Sequence, residues 1–463
     1  GSGGGGTIRT TGSGIGGLSG FSSNGQGITA TQSAGLNYNN FKKSNLELTS
    51  SYFFNGTQLK NDYATHRETF VSDSSQLLDE NGYSNRDNYN HRINAAVDWK
   101  IDSNNSIKIT PSVSIQNTNS YAGKTFVNTG AKGGILSTGN NLTSSQTDGY
   151  NINVNALYRH RFARKGRTFS AELRVGANQS EGEGTQFTVN SWPNYNGGGP
   201  RTDTLVDQQN FTDNESNTLG VTLRYTEPMS RRSLLEFSAY HNENSNQRDQ
   251  RTYDLNDATN KYDIENARLT NLISNDYRTS GAGLKFRENR TGWNYTIGAD
   301  LQRAELSSLL QGKSAPITQD FLNLLPNAQV QIGKNRYRNF RIIYNGTTQN
   351  PSVTQLQPIE DISNPLNIKR GNPDLKQSFI NNFRVNYTSF DPYTMKSFFA
   401  FVNMRQTFNA IVNNDSIFTN GGALTTYENA DGVYSMNANV NFGLPVNIGG
   451  ARANMNFGTG AGL

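Results

Sequence analysis

From Ile28 onward the chain repeats one rhythm, apolar and polar residues alternating with period 2. The clearest stretch places Ile107, Ile109, Pro111, Val113 and Ile115 on one phase and Lys108, Thr110, Ser112, Ser114 and Gln116 on the other. Successive side chains of an extended strand point to opposite faces, so this spacing predicts a strand whose two faces meet different surroundings. The pattern recurs with Tyr150, Ile152, Val154, Ala156 and Tyr158 against Asn151, Asn153, Asn155 and Arg159. It returns in Ile93–Trp99, Phe169–Val175, Leu219–Tyr225, Trp293–Leu301, Phe383–Tyr387, Tyr434–Phe442 and Ala453–Phe457.

The links between these segments alternate in length. Short polar turns are expected at Phe41–Ser44, Asp102–Asn105, Arg164–Gly166, Glu227–Arg231, Glu288–Gly292 and Asp391–Thr394. Between them stand polar stretches near 57–87, 122–146, 181–208, 249–274 and 309–335, which read as long loops. Tight turns at one end and long loops at the other are the habit of an up-and-down barrel in an outer membrane, and this spacing gives about sixteen strands. Tyr150, Phe162, Tyr225 and Trp293, near strand ends, are candidates for two aromatic girdles at the membrane interfaces. The last strand, near 451–460, is expected to lack a partner, so the sequence reads as a barrel cut short.

Composition narrows the environment. Only 33% of the 463 residues are hydrophobic and mean hydropathy is -0.69, yet aromatics reach 10% and net charge is only +5. Such a chain fills a large dry core poorly, and no run approaches the ~20 apolar residues of a spanning helix. A barrel with an apolar outside and a wet inside reconciles the two facts. The fold expected is therefore all-β, a transmembrane antiparallel up-and-down β-barrel over residues 28–463. Residues 1–27, rich in Gly, Ser and Thr, are expected to be a linker. With no cysteine there is neither a disulfide framework nor a thiolate metal site. The 42 basic residues are interspersed with 37 acidic ones, which argues against nucleic acid as a partner.

Two stretches carry a resemblance. Gly25-Gln26-Gly27-Ile28-Thr29-Ala30-Thr31, followed by Ala34-Gly35-Leu36-Asn37-Tyr38 and Ser51-Tyr52-Phe53-Phe54-Asn55, resembles the start of the barrel in outer-membrane β-barrel proteins of TonB-dependent receptor type, found especially in Bacteroidota. Asn364-Pro365-Leu366-Asn367-Ile368 with Gly371-Asn372-Pro373-Asp374-Leu375-Lys376 is similar to a loop-to-strand signature late in those barrels. The resemblance implies a barrel of 22 strands, of which this chain would hold the first two-thirds or so. It also implies a plug domain and TonB as partners outside the chain, outer-membrane lipid around it, and a nutrient ligand taken up through it.

Gly12-Ser13-Gly14-Ile15-Gly16-Gly17 satisfies a dinucleotide-loop spacing, but it sits in a Gly-Ser tract without the strand and helix such a loop needs. Gly123-Lys124-Thr125 matches the end of a phosphate loop but continues a strand, with Thr118 where the first glycine belongs. His66, His91, His160 and His241 are widely separated and show no zinc spacing, and no nucleophile motif appears, so neither an enzyme nor a cofactor is expected. Asp249, Asp254, Asp257, Asp263 and Glu265 crowd one loop and Asp73, Asp79 and Glu80 another, oxygen-rich but without calcium-loop spacing. Arg159, Arg161, Arg174, Arg224, Lys285 and Arg384 fall on the polar phase, where they would line a wet lumen and either favour anions or dock a plug. The pattern assigns no catalytic, metal or ligand-binding residue. The expected role is a receptor or transporter barrel. The rivals are an adhesion or assembly scaffold barrel and a soluble β-solenoid, the last disfavoured because no repeat of fixed length recurs.

Overall fold

The computed structural model describes residues 27–462 apart from 44, 72–73, 131–132, 193–201, 312–315, 334–336, 357, 359, 362–366, 418–422 and 450. Apart from Gly27, the expected linker at 1–27 lies outside the described residues, as do the Gly12–Gly17 motif and Asn364, Pro365 and Leu366 of the second signature.

The strands are β1 (Ile28–Lys43), β2 (Leu46–Val71), β3 (Ser74–Lys100), β4 (Asn105–Gly130), β5 (Ile135–Arg161), β6 (Thr168–Trp192), β7 (Thr202–Pro228) and β8 (Ser233–Asn256), then β9 (Lys261–Glu265), β10 (Asn271–Arg290), β11 (Trp293–Leu310), β12 (Ile317–Ile332) and β13 (Arg338–Gln349). A single turn of helix, α1 (Val353–Leu356), precedes β14 (Glu360–Asp361), β15 (Asn367–Arg370), β16 (Ser378–Phe390), β17 (Ser397–Phe408), β18 (Ala410–Ile417), β19 (Ala423–Ala430), β20 (Val433–Ile448) and β21 (Ala451–Gly462). Each of β1 to β8 pairs antiparallel with the next. The meander then continues through β10, β11, β12, β13, β16, β17, β20 and β21, with β9 hairpinned onto β8. That up-and-down order matches the expected fold and strand number. Among the described residues β1 and β21 do not pair with each other, so the sheet is open.

The long loops expected from the sequence are a correction: most of those residues are strand. β2 to β7 run for 25 to 27 residues each, roughly 85 to 90 Å, whereas about 9–11 residues cross a bilayer. Beyond the membrane both faces of the hairpin are wet, so the ladder persists while hydrophobic alternation disappears. Glycines there face aromatic partners directly across the ladder, Gly82 opposite Tyr63, Gly123 opposite Tyr83 and Gly139 opposite Phe126. A Cβ at Gly82 would stand 2.5 Å from the Tyr63 ring. Such a ring covers the backbone that glycine leaves bare and pins the register. The stretch 309–335 is corrected too, since it contains β12.

The apolar phase runs in register across the sheet. Leu173 faces Val221, Leu284 faces Phe237 and Ala299, Leu301 faces Leu324, Val385 faces Ile342 and Val402, and Phe442 faces Phe457. Many of these side chains are exposed, Ile297 by 57% and Leu301 by 52%, which in water would be a large aggregation-prone face. On β11 the apolar phase spans Trp293 to Leu301, roughly 27 Å along the strand and less along the membrane normal once tilted, the scale of the outward band of about 25 Å in outer-membrane barrels. A row of aromatics bounds it at the short-turn end: Phe162 lies 6.1 Å from Tyr225, Trp293 stacks on Tyr295 at 5.6 Å, and Phe340, Tyr387, Phe398 and Phe442 follow in sequence at 5.8 to 6.4 Å. At the other end Phe54 and His91 contact at 5.0 Å, and the register continues through Ile115 to Tyr150.

The short turns carry their own caps. Asp102 accepts hydrogen bonds from the backbone of Asn104 at 2.7 Å and Asn105 at 2.8 Å and from the Asn105 amide at 2.7 Å. Asp391 accepts from the Thr394 hydroxyl at 2.8 Å and the Tyr393 backbone at 2.9 Å. The Asn105 side chain and then the Asn104 backbone hold the Asp102 carboxyl below its ordinary range, and the Thr394 hydroxyl and Tyr393 backbone do the same for Asp391. A carboxylate whose folded pKa is depressed stabilises the fold above its unfolded value, near 3.9, and that contribution fades as pH falls through the folded value. The double variant Asp102→Asn/Asp391→Asn is therefore expected to unfold at lower urea than the parent at pH 7, with the difference closing as pH falls through the folded values of the two carboxyls. A difference that stays constant with pH would show that the charge of these caps is irrelevant.

Candidate functional site: the basic inner wall

The polar phase of the meander faces a cavity of about 1210 Å³. Its lining comes from nine strands in succession, β6, β7, β8, β10, β11, β12, β13, β16 and β17, so the sheet curves around it. Arg174, Arg224, Lys285 and Arg384, four of the six basic residues expected to line a lumen, do so. Arg159 and Arg161 share the phase but sit at the turn end of β5, outside the lining. Arg287, Arg341 and Arg405 complete the basic set and were not anticipated. Arg287 follows Lys285 by two positions and was legible from the same spacing. Arg341 lies on β13, where apolar Ile343 shares its phase, and Arg405 follows Phe399 and Phe401 on the inner phase of β17, so alternation is blurred on both strands.

Carboxylates are scarce on this wall. Glu172 is shared by Arg174 at 2.7 Å and Arg224 at 3.1 Å, and Lys285 stands 3.9 Å from Asp300. Neutral amides fill the rest of the surface, with Asn242, Asn327, Asn345, Asn382 and Asn403 all in the lining.

Toward the long-hairpin end a second, four-stranded sheet (β14, β15, β19, β18) adjoins this wall. Leu356 and Leu375, each 1% exposed, cluster with Leu306 and pack against Tyr277, Ile411 and Tyr427. Tyr277 and Leu306 lie on the same phase as Lys285 and Asp300, so this shelf packs on the inner face. The described part of the second signature is its fastener. The Leu375 carbonyl accepts from the Gln319 amide at 2.8 Å, the Asn372 amide donates to the Tyr427 carbonyl at 2.9 Å, and Asn429 brackets Lys376 through its backbone N–H and carbonyl at 2.7 and 3.1 Å.

The other sequence candidates do not converge. His66 pairs with Asp79 at 2.5 Å, His91 with Tyr52 at 2.9 Å, His160 with Asn105 at 2.7 Å and His241 with Ser280 at 2.8 Å, all on different parts of the sheet. Lys124 of the Gly123-Lys124-Thr125 stretch pairs with Glu80 at 3.0 Å within the β3–β4 ladder. Asp249 pairs with Arg251, Asp254 accepts from Gln208 and Asn266, and Asp263 accepts from Asn256 and Thr259, so these carboxylates are engaged separately. Asp73 lies outside the described residues. Among the described residues no group of three or more His, Asp or Glu is placed to hold a metal ion.

Solved structures similar to the chain include the copper transporter OprC (11% identity, TM-score 0.49, covering 94% of this chain and 62% of that one) and the RagAB peptide importer (9%, 0.48, 90% and 51%). The siderophore receptor PirA from Pseudomonas aeruginosa is another (12%, 0.44, 93% and 66%). The chain spans 61% of the length of the matched chain in the FpvAI-pyocin S2 complex and 60% of that in P. aeruginosa FpvA bound to heterologous pyoverdines. No curated protein matches. The profile of the family described as "Outer membrane protein beta-barrel family" matches residues 160–459, and with its in-register apolar belt, aromatic rows and polar inner wall the chain belongs to that family.

Proposed function

We propose that this chain is the wall of an outer-membrane receptor that takes up a nutrient ligand, with energy supplied by TonB through a plug domain. Residues 1–27 are read as the linker to that plug and residues 28–463 as the barrel domain. The observation that carries the reading is the inner wall: a cavity of about 1210 Å³ bordered mostly by hydrogen-bonding and charged side chains, inside a sheet whose other face is made for lipid. That volume slightly exceeds the ~300–1,000 Å³ of ordinary small-molecule sites, as a passage for a sizeable solute requires. The shelf bearing the receptor-like signature narrows the same interior, and the two likenesses to receptor barrels support the same role.

A second reading has its own support. The paired hairpins of β2 to β8 reach far beyond any bilayer and would suit a scaffold that binds other surfaces without transport.

The two separate experimentally. The natural full-length product, purified in detergent, is expected to capture the periplasmic domain of TonB, and single-channel recordings are expected to show a barrel closed at rest. Failure to bind TonB would overturn the transport reading and leave the scaffold.

A further inference from the structure

Three guanidinium groups on the inner wall form a diagonal row, and among the described residues no carboxylate pairs with them. Arg384 on β16 stands opposite Ile343 on one side and Asn403 on the other. Arg341 is therefore two positions from the residue facing Arg384 on β13, and Arg405 two positions from the residue facing it on β17. Diagonal neighbours of this kind lie about 7–8 Å apart, within reach of one another through long side chains, and like charges so placed repel. Among the described residues Arg341 donates only to the Gln329 side-chain carbonyl oxygen at 2.8 Å and Arg405 only to that of Gln349 at 3.2 Å. Arg384 has no hydrogen-bonding or ionic partner among the described residues. All three line the cavity.

Each guanidinium presents a planar fork of donors matched to the two oxygens of a carboxylate or phosphate. Three forks in a row, lining an open cavity and flanked by the amides of Asn382 and Asn403, are arranged for an extended oxyanion rather than for one small ion. We propose that the Arg341–Arg384–Arg405 row binds the acidic groups of the transported ligand, so that the solute passing this wall carries several carboxylate or phosphate oxyanions. This rests on the transport reading above and adds the ligand's chemical class. A free solute fits the row better than a fixed acidic protein face, because the neutral amides between the cations offer both donors and acceptors to a changing partner.

The test uses the natural full-length protein in a non-ionic detergent and inorganic tripolyphosphate as probe, titrated calorimetrically at low and moderate salt. The parent is expected to bind, with affinity falling as salt rises. The triple variant Arg341→Gln/Arg384→Gln/Arg405→Gln should bind at least tenfold more weakly while keeping a boiling-sensitive gel mobility. A control of equal charge change outside the cavity, Arg159→Gln/Arg161→Gln/Lys165→Gln, should bind like the parent. Absence of binding to the parent would overturn the inference, as it would mean that an acidic protein face already covers the row. Equal weakening in the control would overturn it as well, as it would mean net charge alone draws the anion. TonB capture in the same preparation reads the transport role independently: capture without tripolyphosphate binding removes only the anion, while loss of capture removes the role itself.

Discussion

Leu284→Arg is expected to lower the stability of the folded barrel in lipid by about 2–4 kcal/mol, the cost of a cation on the lipid face near the bilayer midplane. Leu284 is 48% exposed on the sheet, and in register it lies between Phe237 and Ala299, inside the apolar belt. The neighbouring position faces the other way. Lys285 lines the wet cavity and stands 3.9 Å from Asp300, a loose pair of the kind worth at most about 1 kcal/mol, so Lys285→Met is expected to cost little. Urea titration of the natural full-length protein folded in lipid vesicles, with boiling-sensitive gel mobility as the folded marker, compares the two. Equal costs at both positions would mean that the two faces do not meet lipid and water as assigned.

The contrast between adjacent positions also shows which part of this architecture a sequence can carry. Wherever one face meets lipid and the other water, as along Trp293–Leu301, each residue reports its own side and strand, phase and approximate strand number follow. Past the membrane that report stops. Residues 57–71 of β2 form the same antiparallel ladder as residues 46–56, but neither of their faces is apolar, so they look like loop. β12 was hidden differently, because Leu322, Phe321, Leu324 and Leu325 put apolar groups on both phases and Pro326 interrupts the run, although it faces Ala299 within the ladder. The basic wall was half legible: Arg174, Arg224, Lys285 and Arg384 stand in well-alternating strands, whereas Arg341 and Arg405 do not. The shelf was illegible as a sheet. β14 and β15 are two and four residues long, and β15 pairs in parallel with β19, more than fifty positions on, so nothing local encodes the contact.

That shelf is where the second large effect is expected. Leu375→Ala should destabilise the shelf by about 2–5 kcal/mol, the range for truncating a buried leucine when the surroundings cannot close over the space. Leu375 is 1% exposed and meets Leu306 of the wall and Leu356 of α1, with Tyr277 on the wall and Ile411 and Tyr427 of the second sheet packed around them. Among the described residues the cluster is small, so little other apolar contact takes up the loss. The hydrogen bonds that remain, from Gln319 to the Leu375 carbonyl and between Asn429 and Lys376, join the same two bodies but hold them only while the cluster keeps their partners in place. The meander does not depend on the cluster, because β13 pairs with β16 and β16 with β17 through their own ladders. The loss should therefore be local. Limited proteolysis of the full-length protein in detergent is expected to show new cleavage between Asn350 and Gln377 in Leu375→Ala while the boiling-sensitive band persists. An unchanged cleavage pattern would mean that the hydrogen bonds alone fasten the shelf, and loss of the folded band would mean that shelf and wall unfold as one unit.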